Sequence, residues 1–167
     1  MIFVSNTSPI MNLAAVGRLD ILEKLYIRVL IPEAVFTELK TIDANDNPSL
    51  LIQSFPFVEP MAASDRPLVT SLALELHIGE AEAIALAIET KAELLLMDER
   101  IGRKKASSLG LQVIGLLGVL MAAKQQGVIN EIKPLLDTLV SKAGFWISTP
   151  LYSLVLEKAG EYSRFMM

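Results

Sequence analysis

The stretch Glu93-Leu94-Leu95-Leu96-Met97-Asp98-Glu99-Arg100 constrains this chain more than any other. A short apolar run stops at two carboxylates and then turns basic, with Arg100, Arg103, Lys104 and Lys105 following. A run of this length bounded by charge fits a buried strand of an α/β sheet and is too short for a core helix. In open sheets of that kind, ligands bind just beyond the carboxyl ends of the strands. Asp98 stands at such an end. As an isolated residue it reads equally as a cap for the next helix, so its meaning depends on which other carboxylates arrive beside it.

The rest of the chain supplies alternating strands and helices. Strands are expected at 2–5, at 28–31, at 112–114 and in the run ending at Asp98, with a short edge strand at 55–58 between Pro56 and Pro60. Helices are expected at 10–15, 19–25, 33–40, 67–76, 80–90, 102–109, 116–126, 131–142 and 150–159, several of them closed by glycine. The stretch 42–53, with Asp43, Asn45, Asp46, Asn47 and Pro48, reads as loop. His77, just before Gly79, reads as a C-terminal cap of the 67–76 helix. Alternation of this kind implies a three-layer α/β/α domain with a central, mainly parallel sheet. The expected division is a domain over 1–125 and a C-terminal helical extension over 126–167, packed on that domain.

Composition narrows the chemistry. The 167 residues include no cysteine, which removes disulfides and thiolate metal sites. Hydrophobic residues make up 52% of the chain and mean hydropathy is +0.47. Yet the longest apolar run, 114–123, is about ten residues and falls short of the roughly 18 needed for a membrane span. High apolar content without a span points to a compact core and a homodimer interface. The N-terminus lacks a basic, signal-like lead, so a cytoplasmic protein is expected. Net charge is −4, from 15 basic and 19 acidic residues, so nucleic acid would have to be held by a local basic patch.

Three elements end near the expected place of Asp98. Asn6 follows the first strand, Glu38 lies in the helix after the second, and Glu80 opens the apolar helix before the Asp98 strand. Glu80 and Glu82 compete for the last place. Residues two apart in a helix lie about 200° apart around the axis and do not share a face. Glu82 is in register with Glu89, most simply on a solvated face, which leaves Glu80 as the candidate and Glu82 as the alternative. Oxygen donors without sulfur suit Mg²⁺ or Mn²⁺ over Zn²⁺. No Gly-rich phosphate loop supports a nucleotide-handling enzyme of another α/β family.

Taken together, Ser5-Asn6-Thr7-Ser8-Pro9-Ile10, Leu19-Asp20-Ile21-Leu22, Ile31-Pro32-Glu33-Ala34-Val35-Phe36-Thr37-Glu38-Leu39, Gly79-Glu80-Ala81-Glu82-Ala83-Ile84-Ala85-Leu86-Ala87, Leu95-Leu96-Met97-Asp98-Glu99 and Gly115-Leu116-Leu117-Gly118-Val119-Leu120 resemble a PIN domain, closest to its VapC-like branch. The resemblance covers about residues 2 to 125, and Ala159-Gly160-Glu161 also looks like that branch. It implies a metal-dependent ribonuclease, the toxin of a toxin–antitoxin pair, dimeric and restrained by a small antitoxin. By position it makes Asn6, Glu38, Glu80 and Asp98 the catalytic, metal-holding set around Mg²⁺ or Mn²⁺. It places Arg100, Arg103, Lys104, Lys105, Thr7 and Ser8 against RNA. The departure is Asn6, where the family usually has Asp: the amide keeps an oxygen donor and loses the charge. That substitution raises the alternative of a catalytically impaired PIN-fold module that binds RNA or an antitoxin.

Overall fold

The computed structural model describes residues 1–45 and 54–161. Five short strands form one parallel sheet: β1 (Phe3–Ser5), β2 (Val29–Ile31), β3 (Val58–Pro60), β4 (Leu94–Leu96) and β5 (Val113–Ile114), in the order β3-β2-β1-β4-β5. The chain steps outward from β1 to β2 and β3, then returns to the far side of β1 to lay down β4 and β5. The order therefore reverses at β1, and the crevice beyond the ends of β1 and β4 is the switch point of the sheet.

Strand alternation fills two cores. Phe3, Val29, Ile31 and Leu96 face a core shared with α1 (Thr7–Ala15), α2 (Asp20–Tyr26), α3 (Glu33–Asn45) and α7 (Leu116–Gln125). Val4, Leu30, Leu95 and Met97 face the opposite core, with α4 (Arg66–Leu72), α5 (Ile78–Thr90) and α6 (Arg100–Ser108). Both sheet faces are covered, which is why the strands read as continuous apolar runs. In α5, Ala81 and the run from Ala83 to Ala87 are fully buried. The small alanines let this helix lie close between the sheet and its helical neighbours.

Several boundaries differ from expectation for identifiable reasons. The edge strand is at Val58–Pro60, not 55–58, because parallel pairing sets Val29 opposite Val58 and Ile31 opposite Pro60. Pro60 ends the strand, where its missing N–H costs least. The 67–76 helix stops at Leu72, with Asp65 capping its start by accepting from the Leu68 N–H. His77 is consequently the N-cap of α5, not a C-cap: its N–H donates to Glu80 Oε1 at 3.0 Å. Helix α6 begins at Arg100, two residues early, which places Gly102 in its first turn. The segment expected as loop continues α3 as far as Asn45, and 46–53 lies outside the described residues. Among the described residues no helix is long and apolar enough to cross a membrane.

The C-terminal helices α8 (Lys133–Lys142) and α9 (Thr149–Lys158) add Leu135, Leu136, Leu139 and Val155 to the first core. Glu161 locks them in place. Its carboxylate accepts from the Ile132 and Lys133 N–H groups at 2.7 and 2.8 Å and from Lys124 Nζ at 2.8 Å. One acidic side chain thus satisfies unpaired donors at the start of α8, favoured by the helix dipole, and ties them to α7. Burial acts to raise this carboxyl, but the Ile132 amide, the Lys124 ammonium and the Lys133 amide outweigh it and hold it below the usual glutamate range. A depressed acid stabilises the fold above its unfolded value and loses that contribution as pH falls through the folded one. Glu161→Gln should therefore lower stability at pH 7 by about 1.5–3 kcal/mol, the scale of hydrogen bonds to a charged group. In urea denaturation series, the gap to the unaltered protein should close as pH drops below 4.5, the ordinary glutamate value.

Candidate active site

Parallel pairing of β1 with β4 sets Ser5 opposite Leu96, and the Asn6 N–H donates to the Leu96 carbonyl at 2.9 Å. The residues that leave the two strands, Asn6-Thr7-Ser8 and Asp98-Glu99, therefore emerge side by side at the switch point. Asn6 takes the N-cap position of α1 without making a side-chain cap. Its Nδ2 instead donates to Glu99 Oε2 at 2.8 Å, and Ser8 Oγ donates to Glu99 Oε1 at 3.0 Å. Thr7 Oγ1 turns the other way and donates to Glu38 Oε2 at 3.0 Å. Glu38 projects from α3 one position before Leu39, which is anchored in the core. Gly79, at the start of α5, lies against both: a Cβ there would sit 3.6 Å from Glu38 Oε2 and 3.7 Å from Asn6 Oδ1.

Glu80 is only 6% exposed. One of its oxygens holds the His77 N–H, and the other points at Gly102. The result is a cleft of about 380 Å³ lined by Asn6, Thr7, Ser8, Glu38, Glu80 and Glu99, among others. Among the described residues none of its three carboxylates has a basic partner within ion-pairing distance. Glu82 contrasts with them. It was expected on a solvated face with Glu89, yet it is just as buried as Glu80: its Oε1 accepts from the Ala34 N–H at 2.9 Å and its Oε2 from Arg66 at 3.0 Å. The cause is that α5 is enclosed on both sides, by the sheet and by α3 and α4, so it has little solvated face to offer. Glu82 is neutralised where it stands, whereas Glu80 is not.

Asp98 points away from that cleft. Its Oδ1 accepts from the Leu116 N–H at 2.8 Å and so caps α7, not the helix that follows it in sequence. Its Oδ2 is buried and has no hydrogen-bond partner among the described residues. Burial pushes this carboxyl above the usual aspartate range and the Glu99 charge adds to the effect, against the Leu116 N–H and Arg103. Asp98 lines a second cleft, where Gly115 leaves room for both its carboxyl and the Arg103 guanidinium. The four basic residues of α6 fan out. Arg103 faces the second cleft, Arg100 borders a groove beside Glu80 and Glu99, Lys104 is exposed, and Lys105 pairs with Glu75 at 3.8 Å.

The structure brings Asn6, Glu38 and Glu80 to one cleft and sets Glu99, which sequence reasoning passed over, beside them. The signal was the pair itself: two carboxylates leave the end of β4, and Glu99 lines both clefts whereas Asp98 lines the second. An all-oxygen donor set without counter-charge, beside a carboxylate oxygen left unsatisfied, fits a hard divalent cation. Among the described residues no three acidic or histidine side chains are yet close enough to hold one ion together. The carboxylates are turned onto Thr7, Ser8, Asn6 and the His77 N–H, and ligation would require rotating them off these neutral donors.

Gly102 reports on how tightly Glu80 is set. A Cβ there would lie 2.7 Å from Met97 Sδ and 3.1 Å from Glu80 Oε2, and Met97 is fully buried. Ala is ordinarily better than Gly in a helix by about 1 kcal/mol, but overpacking of this kind costs about 1–3 kcal/mol. Gly102→Ala should therefore lower the thermal midpoint, the reverse of the gain expected at an open helical glycine.

The family model described as DUF3368: PIN domain matches residues 2–161, nearly the whole chain and including α8 and α9. No curated protein and no solved structure matches the chain. With its parallel α/β sheet and its carboxylates at the switch point, the chain belongs to the PIN-domain family.

Proposed function

We propose that this protein is a metal-dependent endoribonuclease of the PIN type and the toxin of a toxin–antitoxin pair. PIN domains are nuclease-type domains that generally depend on divalent metal and act on RNA. The observation that carries the reading here is the cleft in which Glu38, Glu80 and Glu99, from three separate elements, meet Asn6 without an ion pair to any of the three among the described residues. Glu38, Glu80 and Glu99 would hold Mg²⁺ or Mn²⁺, with Asn6 Oδ1 as a neutral donor. Asp98 stands at the margin, because it lines the second cleft with Arg103 and its Oδ1 is taken up by the Leu116 N–H. A divalent ion bound in this cleft supplies an activated water at neutral pH and neutralises charge on the phosphodiester.

The chain's own residues do the positioning. Thr7 and Ser8, in the first turn of α1, hold Glu38 and Glu99 from opposite sides and keep the carboxylates apart. Arg100 and Arg103 flank Glu99 and, with Lys104 and Lys105, would bind the RNA backbone on either side of the reacting phosphate. Leu74, Ile78 and Ile101 are exposed apolar residues around this region, suited to a second copy of the chain or to a small antitoxin. The Asn6 amide favours a second reading, a module that binds RNA or an antitoxin without efficient cleavage, because it places a hydrogen-bond donor where a ligand charge would stand.

Cleavage of single-stranded RNA in Mn²⁺ separates these readings. The unaltered protein should cleave, and Glu38→Gln and Glu99→Gln should lose at least about 10–100-fold, the scale seen when metal-site groups are removed. Asp98→Asn should lose less than either. Equal cleavage by all four proteins would refute the site. Cleavage gained only in Asn6→Asp would establish the binding module instead. Metal binding has its own readout: Mn²⁺ at about 100 times its Kd should raise stability by about 2.7 kcal/mol. Asn6→Asp should melt earlier than the unaltered protein in EDTA, since it puts a fourth carboxylate in the cleft, and should gain more on adding Mn²⁺.

A further inference from the structure

The second cleft, beside the carboxylates, has a volume of about 870 Å³, within the range of about 300–1,000 Å³ typical of small-molecule sites. Ser8, Met11 and Glu99 line both this cleft and the carboxylate cleft, so the two share a wall. Its rim carries Trp146, the only tryptophan of the chain, 82% exposed. The segment that presents it, between α8 and α9, is pinned at both ends. Gly144 turns the backbone at φ +69°, the Phe145 N–H donates to the Leu139 carbonyl at 3.1 Å, and Ser148 Oγ accepts from the Leu151 N–H at 3.3 Å. An indole held out in water at a fixed place is an apolar plane with nothing packed on it.

Asn12 supplies the second, independent observation. It lies in α1 and lines the same cleft, and it is only 8% exposed. Its side-chain amide makes no hydrogen bond among the described residues, and neither of its polar atoms is sealed from solvent, which leaves both open to a ligand in the cleft. An amide offers a donor and an acceptor side by side, the complement of a nucleobase edge. Arg103 stands near the inner wall, opposite in charge to a phosphate. An apolar helix docked here would bury Arg103, Asp98 and Asn12 without satisfying them, a cost that disfavours a protein partner.

We propose that this cleft is a base-binding subsite for single-stranded RNA, in which an unpaired nucleobase next to the reacting phosphate stacks on Trp146 and presents its edge to Asn12. The proposal rests on the ribonuclease reading for its substrate class, and the wall shared by the two clefts sets the subsite next to the carboxylates.

Because Trp146 is the sole tryptophan, its fluorescence reports on this position alone. The full chain in EDTA, which prevents cleavage, is titrated with a short single-stranded RNA containing all four bases and with an abasic ribose-phosphate strand of equal length. The base-bearing strand should quench Trp146 emission and bind more tightly than the abasic one. By polarisation of a labelled strand, Trp146→Ala should weaken RNA binding about 5- to 150-fold, the fold-change of about 1–3 kcal/mol per stacked base, and Trp146→Phe should recover most of it. In Mn²⁺ the Trp146→Ala loss should fall on KM. Equal affinity for the two strands, or RNA binding by Trp146→Ala at the unaltered level, overturns the subsite. So does a blue shift of the emission with protein concentration in the absence of RNA, which would assign Trp146 to an interface between copies. Quenching that persists in a protein unable to cleave RNA with any metal would support the subsite and overturn the nuclease reading alone.

Discussion

The parallel pairing of β1 with β4 is the constraint on which the rest of this structure depends. It sets Ser5 level with Leu96, so both strands end in the same plane and the Asn6 N–H closes the ladder on the Leu96 carbonyl. Shifting that register by one residue would exchange the Phe3 and Val4 faces and empty both cores at once. The apolar side chains that fix the register thereby also fix where Asn6, Ser8 and Glu99 meet. Packing and chemistry are specified by the same few residues, and the active-site candidates need no loop of their own to be brought together.

What happens to each acid after that depends on its neighbours. Glu82 and Glu80 start two residues apart on one buried helix and end in different electrostatic states. Glu82 receives Arg66 and a backbone N–H at the start of α3, which leaves it a structural tie. Among the described residues Glu80 receives the His77 N–H and no ion pair. Glu38 and Glu99 are held by hydroxyls and an amide, all neutral. Neutral donors keep carboxylates in place without cancelling their charge, so the cleft retains its attraction for a cation. A lysine at any of these positions would stabilise the cleft and remove that attraction.

Much of this was legible in the sequence. The apolar stretch of α5, the glycine stops and the apolar run into Asp98 gave the alternation of strands and helices, and with it the parallel sheet. The separation of Glu80 from Glu82 by helix face was legible too, but the fate of Glu82 was not, because the solvated face assumed for it is covered by α3 and α4. His77 was misplaced because α4 stops short at Leu72, where the turn 73–76 takes over. Glu99 was hidden by the choice of one carboxylate from an adjacent pair that lies beyond β4, where no strand period assigns a side. The surface around Trp146 was beyond sequence reasoning, since it draws on α1, α6, β5, α7 and the α8–α9 connection, segments with no pattern in common.

Asn6 is the point at which these arguments meet. An aspartate there would add a fourth carboxylate to a cleft that already holds three without counter-charge, and it would lose the Nδ2 donor that now engages Glu99. The asparagine therefore stabilises the metal-free fold, and it gives up part of the field that would attract the metal. The same amide fixes Glu99 on the side of Ser8, at the wall shared by the two clefts. A residue that weakens ligation thus also orients the carboxylate nearest the proposed base subsite. That coupling makes Asn6 more than a defective aspartate: in the proposed site it would exchange part of the attraction for a metal for a fixed orientation of Glu99.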